Sequence, residues 1–441
     1  MANTFVLLIF KHFVDEDLLA LTQHHRVAIF HRMFSLRNKL LPFLHPGSIK
    51  MDADSKALYE LISLNHLQLD LSEDLTKNDI EEFRYHSKRI LTALFPAKSS
   101  SCLIQHHIIQ YNTNQVHMYY IQHEKINDWK CSNQPIILYF HGGGFVFGDI
   151  DTYSCFECHL SKSLNMLILH VDFRLIPEYS LEETIEDVIN IYKILLDADS
   201  NIHRRLIGMG DSSGGMLWIY LLQWIISNNK PVPQGVILHS PWPNLEYFDN
   251  VRFSTDNYLS FRLVYNLRQL VIGKDANWFE MTDEELSKIS PKDNSYKGFP
   301  PLYITVGTNE ISIDAIHDMT KKMELSGVEV TLDEGEGLMH TYALFHMWSP
   351  QGFPPLYITV GTDEISFDAI HDMTEKMKVS GVEVILDEGE GLMHTYALFH
   401  MWSPQSGWIQ EKIRQWIREK LLIGMQSKSD VKRVTKNPGC I

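Results

Sequence analysis

The sequence predicts an α/β fold: a mostly parallel sheet with helices on both faces. Three observations point to it. Short apolar runs alternate with longer amphipathic stretches through the middle of the 441-residue chain. Two of those runs end in glycine-rich turns, at 141–144 and 210–214. In an alternating α/β chain, such turns sit at the carboxyl ends of the strands, where these sheets bind ligands.

The strongest turn is Gly210-Asp211-Ser212-Ser213-Gly214. Before it, 205–209 is short and apolar enough for a buried strand. After it, 215–226 is long enough for a helix. A serine between small residues at a sharp strand-to-helix turn is the setting of a G-x-S-x-G nucleophile elbow. The serine must take a strained backbone, and only residues without bulk fit around it. The helix start behind it supplies free N–H groups and a positive dipole end.

Upstream, the strand 135–140 runs into His141-Gly142-Gly143-Gly144-Phe145. A triple glycine lets backbone N–H groups approach a ligand closely. In acyl transfer they would hold the oxygen that becomes negative in the tetrahedral intermediate.

The remaining elements follow in order. Residues 1–47 read as a helical, apolar extension with no assignable chemistry. Amphipathic helices are expected at 52–66 and 79–95, then strands at 102–110 and 116–123. The stretch 151–163 reads as a helix, 166–173 as a strand, 185–195 as a helix and 234–241 as a strand. Residues 245–297 interrupt the alternation with aromatic and polar helical pieces at 261–272 and 283–289, as a cap would. The tail from Met425 is basic and polar.

Then one β-α-β unit is written twice. Residues 298–351 are followed at once by 352–405, and the two differ at six positions. They are Asn309/Asp363, Ile313/Phe367, Lys321/Glu375, Glu324/Lys378, Leu325/Val379 and Thr331/Ile385. One copy can complete the sheet; the other must be added at an edge or looped out. Two copies are too few for a solenoid.

A nucleophilic serine needs a base, and the base an orienting acid, in the chain order serine, acid, histidine. Each copy offers this. The first has Glu310 and then His340; the second has Asp363 and Glu364 and then His394. The serine-to-histidine interval is the same if either copy is deleted. The Asp-Glu pair and the run into the helix expected at 407–422 favour the second copy; the direct connection from the cap favours the first.

Composition narrows the function. A net charge of −16 argues against a nucleic-acid or anionic-membrane partner. Five cysteines form no disulfide-scaffold pattern, so a reducing, cytoplasmic setting is expected. Cys155-Phe-Glu-Cys158-His159 fits a haem-attachment pattern, but on a packed helix it reads better as two reduced thiols. The apolar run 5–10 is too short to span a bilayer.

Five segments together resemble the hormone-sensitive-lipase-like (fold-3) α/β-hydrolase esterases, which include arylacetamide-deacetylase-type enzymes. They are 141–145, 172–178, 210–214, 360–364 and 391–394, within a resemblance that spans roughly 50–422. The resemblance implies an α/β-hydrolase fold with a helical cap from 48–95 and 245–297. It implies Ser212 as nucleophile and an oxyanion hole from the N–H groups of Gly143, Gly144 and Ser213, with Gly142 shaping the loop. It places the acid on Glu310 or Glu364, where the family more often has aspartate; Asp363 lies one residue earlier. Arg174 and Glu178 fall in a segment that is structural in the family. The implied activity is hydrolysis of short- to medium-chain carboxylic esters, with a small-molecule substrate and no cofactor or metal. A non-catalytic receptor and a serine amidase are the alternatives on the same fold.

Overall fold

The structure is a computed structural model. It describes residues 76–95, 100–111, 114–123, 134–243, 261–273, 295–308, 310–335, 357–361 and 385–389, with a few isolated positions between them. The extension 1–47, the helices expected at 52–66, 283–289 and 407–422, and the tail lie outside these residues.

The core is an eight-stranded sheet in the order β1-β2-β4-β3-β5-β6-β7-β8. β1 (Leu103–Tyr111) and β2 (Asn114–Gln122) form an antiparallel hairpin, and β2 pairs antiparallel with β4 (Leu167–Asp172). β4, β3 (Ile136–Phe140), β5 (Leu206–Asp211), β6 (Gly235–His239), β7 (Leu302–Gly307) and β8 (Val330–Gly335) run parallel. β3, β5, β6 and β7 are buried along their whole length. A strand buried on both faces cannot alternate, which is why these read as continuous apolar runs.

Among the described residues, six α-helices accompany the sheet: α1 (Lys77–Leu94), α2 (Ile150–Leu164), α3 (Leu181–Ala198), α4 (Ser213–Ser227), α5 (Phe261–Ile272) and α6 (Ile313–Leu325). α1 and α3 each open on a capping box, Thr76 with Asp79 and Ser180 with Glu183. α4 is apolar almost all round and sits in the core, with the Trp218 ring against Gly208 and its indole N–H donating to the Met209 carbonyl at 2.9 Å. A side chain at Gly208 would collide with that ring.

The tandem copies separate. The strands of the first copy, β7 and β8, complete the eight-stranded sheet. Those of the second, β9 (Tyr357–Gly361) and β10 (Ile385–Gly389), form a two-stranded parallel sheet of their own. The registers are the same: Tyr303 faces Thr331 as Tyr357 faces Ile385.

One expectation is corrected. Cys158 is not a reduced thiol: it forms a disulfide with Cys102, across 56 residues, with the Cα atoms 5.8 Å apart. Only the fold brings the start of β1 to α2, so cysteine spacing could not show the pair. Cys155 is free and partly buried. The disulfide also removes the ground for expecting a reducing compartment. No helix among the described residues is long and apolar enough to cross a membrane.

Candidate active site

The turn between β5 and α4 carries Ser212 in a strained conformation. Its φ is 49° and ψ −116°, a region that residues other than glycine rarely occupy. The surroundings hold it there. Its N–H donates to the His239 carbonyl at 2.9 Å, and its carbonyl accepts from Trp242 N at 2.9 Å and Met216 N at 3.2 Å. Small neighbours make the turn fit: a Cβ on Gly214 would lie 2.0 Å from the Phe140 carbonyl oxygen.

The glycine loop leaves the end of β3 beside this turn. Gly143, Gly144 and Phe145 all have positive φ, at 111°, 61° and 64°. A Cβ on Gly143 would lie 2.0 Å from the Phe147 carbonyl oxygen. Asp211, the residue before the serine, ties loop to turn. Its carboxylate accepts from Gly142 N at 2.9 Å and from the Tyr139 hydroxyl. The Gly142 N–H is therefore committed to the scaffold. Phe145 N donates to Ser213 Oγ at 3.3 Å, a second tie between the segments.

Two described pieces of the expected cap reach this loop. From α1, Arg84 donates through Nε to the Val146 carbonyl at 2.7 Å and forks onto Glu178 at 2.8 and 2.7 Å. From α5, Leu267 lies against Gly144, where a Cβ would come within 2.7 Å of its Cδ1. Arg174 pairs instead with Asp187, Glu183 and Glu186 on α3, away from the loop.

Of the acids named from the sequence, Glu310 lies in the described structure, at the carboxyl end of β7. It is 2% exposed and accepts from Gly307 N at 2.6 Å, from Ser312 Oγ at 3.1 Å and from Ser240 Oγ. Ser240 directly follows β6, whose last residue, His239, accepts the Ser212 N–H. Glu310 and the serine turn thus share one strand end. His340, His394, Asp363 and Glu364 lie outside the described residues.

Behind the loop is a buried polar cluster that sequence reading missed. His141 is buried, with Nδ1 2.7 Å from the Gly142 carbonyl oxygen. His170, wholly buried on β4, has Nδ1 2.7 Å from Glu157 Oε1 and Nε2 2.7 Å from Asp172 Oδ1. Burial pushes His141 down to about 4, helped by the charge of His170. Burial opposes the charge on His170 too, but Glu157 and Asp172 override it and hold that histidine up at about 10. His239 is pushed down to about 3 by burial. A polar residue at a position expected to be buried was the available signal: His170 interrupts the apolar run of β4.

The α/β-hydrolase fold family matches residues 137–344. An esterase of Acinetobacter venetianus is 25% identical over 226 residues, which are 50% of this chain and 72% of that protein. An acetyl-hydrolase of Streptomyces hygroscopicus is 25% identical over 217 residues, 49% of this chain and 71% of the relative. The crystal structure of an esterase from the bacterial hormone-sensitive lipase family superposes with a TM-score of 0.56 at 21% identity. That likeness covers 68% of this chain and 94% of the esterase, and it shows the fold.

Proposed function

We propose that this chain, whose residues 137–344 match the α/β-hydrolase fold family, is a serine carboxylesterase acting on short- to medium-chain esters. The observation that carries the reading is the strained Ser212 turn, bound through Asp211 to a loop of three glycines. Strain of this kind persists only where the fold over-determines it, and here it holds one hydroxyl at the carboxyl end of a central strand. The names of the esterase and acetyl-hydrolase relatives agree with it.

In this reading Ser212 attacks the ester carbonyl while a histidine takes its proton. The N–H groups of Gly143, Gly144 and Ser213 hold the oxyanion, and each such donor is worth roughly 100-fold or more in rate. The histidine then protonates the leaving alcohol. Water, activated by the same base, releases the acid from the acyl-enzyme. Leu267 and Arg84 brace the loop from the cap side.

We assign the acid and base to the first copy, Glu310 and His340, against the preference that the Asp-Glu pair gave the second. Three observations support this. β7 and β8 complete the sheet, Glu310 is buried against the residue following β6, and the family match runs through residue 344 and stops before the second copy. Glutamate serves as well as aspartate here, because one backbone N–H and two serine hydroxyls fix its carboxylate.

Labelling with a fluorophosphonate probe tests the nucleophile. The wild type should be phosphonylated on the peptide containing Ser212, and Ser212→Ala should not. Labelling elsewhere, or none on a folded wild type, would contradict the reading. Parallel turnover of a p-nitrophenyl ester and of the corresponding anilide separates an esterase from an amidase.

A further inference from the structure

Both ring nitrogens of His170 face carboxylate oxygens at 2.7 Å. An ionised carboxylate only accepts, so the ring satisfies both contacts by donating twice, as an imidazolium. Glu157 comes from α2 and Asp172 from β4 itself. The triad is closed off from solvent on the His170 and Glu157 side, both 0% exposed.

The imidazolium lies beside His141, ring centroids 5.5 Å apart and planes within 15°. His141 is fixed in place by stacking on Phe173 at 4.3 Å and by Gly148, where a Cβ would come within 2.3 Å of its Nδ1. Its Nε2 is buried with no hydrogen-bond partner among the described residues. A second proton on that ring would leave an N–H buried and unpaired beside a positive charge. His141 is thus kept neutral, with its one N–H on Nδ1, donating to the Gly142 carbonyl.

That carbonyl shares a planar trans peptide with the Gly143 N–H, and the two bonds point in opposite directions. Whatever fixes the Gly142 C=O therefore fixes the Gly143 N–H. We propose that the buried Glu157–His170–Asp172 triad is a positioning device for ester cleavage: by holding His141 on the Gly142 carbonyl, it aims the Gly143 N–H at the substrate oxygen. The inference rests on the esterase reading above, and it gives that reading three further positioning residues that do not touch substrate.

The groups facing His170 are few. Glu157 faces it from α2, Asp172 from its own strand and His141 from the loop. Tyr119 of β2 and Tyr139 of β3 approach edge-on or stacked, at 6.0 and 6.5 Å, and the Tyr119 hydroxyl bonds Asp172. Asp149 acts at longer range on Asp172. Removing one carboxylate should let His170 lose its proton near neutrality and release His141.

The test is the pH profile of p-nitrophenyl acetate turnover by the full chain. Glu157→Gln should follow wild type at pH 6 and fall about tenfold below it by pH 8.5, in kcat, with KM within about twofold. The double variant Glu157→Gln/His170→Gln should be low in kcat at every pH and lack that falling limb. A merely structural role would lower stability without creating a limb that depends on His170. A folded Glu157→Gln with the wild-type profile, or a limb that survives in the double variant, overturns the inference alone. A folded wild type with no Ser212-dependent turnover overturns the esterase reading and this inference with it.

Discussion

At the scale of single residues, the chemistry gathers at one strand end. Ser212 is anchored through the His239 carbonyl, and Glu310 binds the hydroxyl of the next residue, Ser240. The serine was legible because a strained turn demands small residues on both sides, and glycines mark it. The glycine loop was legible for the same reason. Asp211 stood inside the motif, but its bond to Gly142 N depends on β3 lying next to β5, which spacing does not show. The two acids give the residue-scale prediction. Glu310→Gln should lower kcat for a short ester by at least about 100-fold, while Glu364→Gln should leave it within about twofold. The reverse pattern, read in steady-state kinetics, would place the working histidine and acid in the second copy.

At the scale of elements, the order of strands and helices was readable because buried parallel strands are short and apolar and the helices between them are longer and amphipathic. The helix predicted at 79–95 is observed as Lys77–Leu94, two residues earlier, because Thr76 caps it through Asp79. What could not be read was contact between elements. Arg84 crosses from α1 to the loop and Glu178, and Cys102 of the β1 edge bonds Cys158 of α2. The disulfide clips the outer hairpin to the helix that carries Glu157. Closing a loop of this length stabilises a fold by about 2–4 kcal/mol. Thermal unfolding of Cys102→Ser/Cys158→Ala should therefore fall by several degrees or more. Mass spectrometry that finds both cysteines alkylated in the unreduced native protein would refute the pairing.

At the scale of the whole molecule, the duplication decided least in the sequence and most in the structure. Near-identical copies have nearly identical patterns, so the Asp-Glu pair and the connections at either end were the only signals to rank them; in the structure the first copy supplies β7 and β8 beside β6. Buried histidines set the pH range of the folded state. His141 and His239 titrate well below the unfolded value of about 6.5. Folded, they bind fewer protons than the unfolded chain between that value and about 4 and 3, so their contribution is complete above 6.5 and lost as pH falls. His170 is raised to about 10, so its contribution is complete below 6.5 and lost as pH rises through 10. Unfolding temperature should peak near pH 6.5–7 and decline on both sides, by calorimetry. A steady rise from pH 7 to 9 would contradict the charged triad. A flat profile from pH 7 to 5 would contradict the buried neutral pair.

Everything proposed for this site depends on Ser212 acting as an ester-cleaving nucleophile. The direct measurement is hydrolysis of a short-chain p-nitrophenyl ester by the purified full chain beside Ser212→Ala, each first shown to unfold cooperatively. Turnover is expected from the wild type, with a loss of at least about 1,000-fold in the variant. Equal rates in the two proteins, or no turnover from a folded wild type, would contradict it.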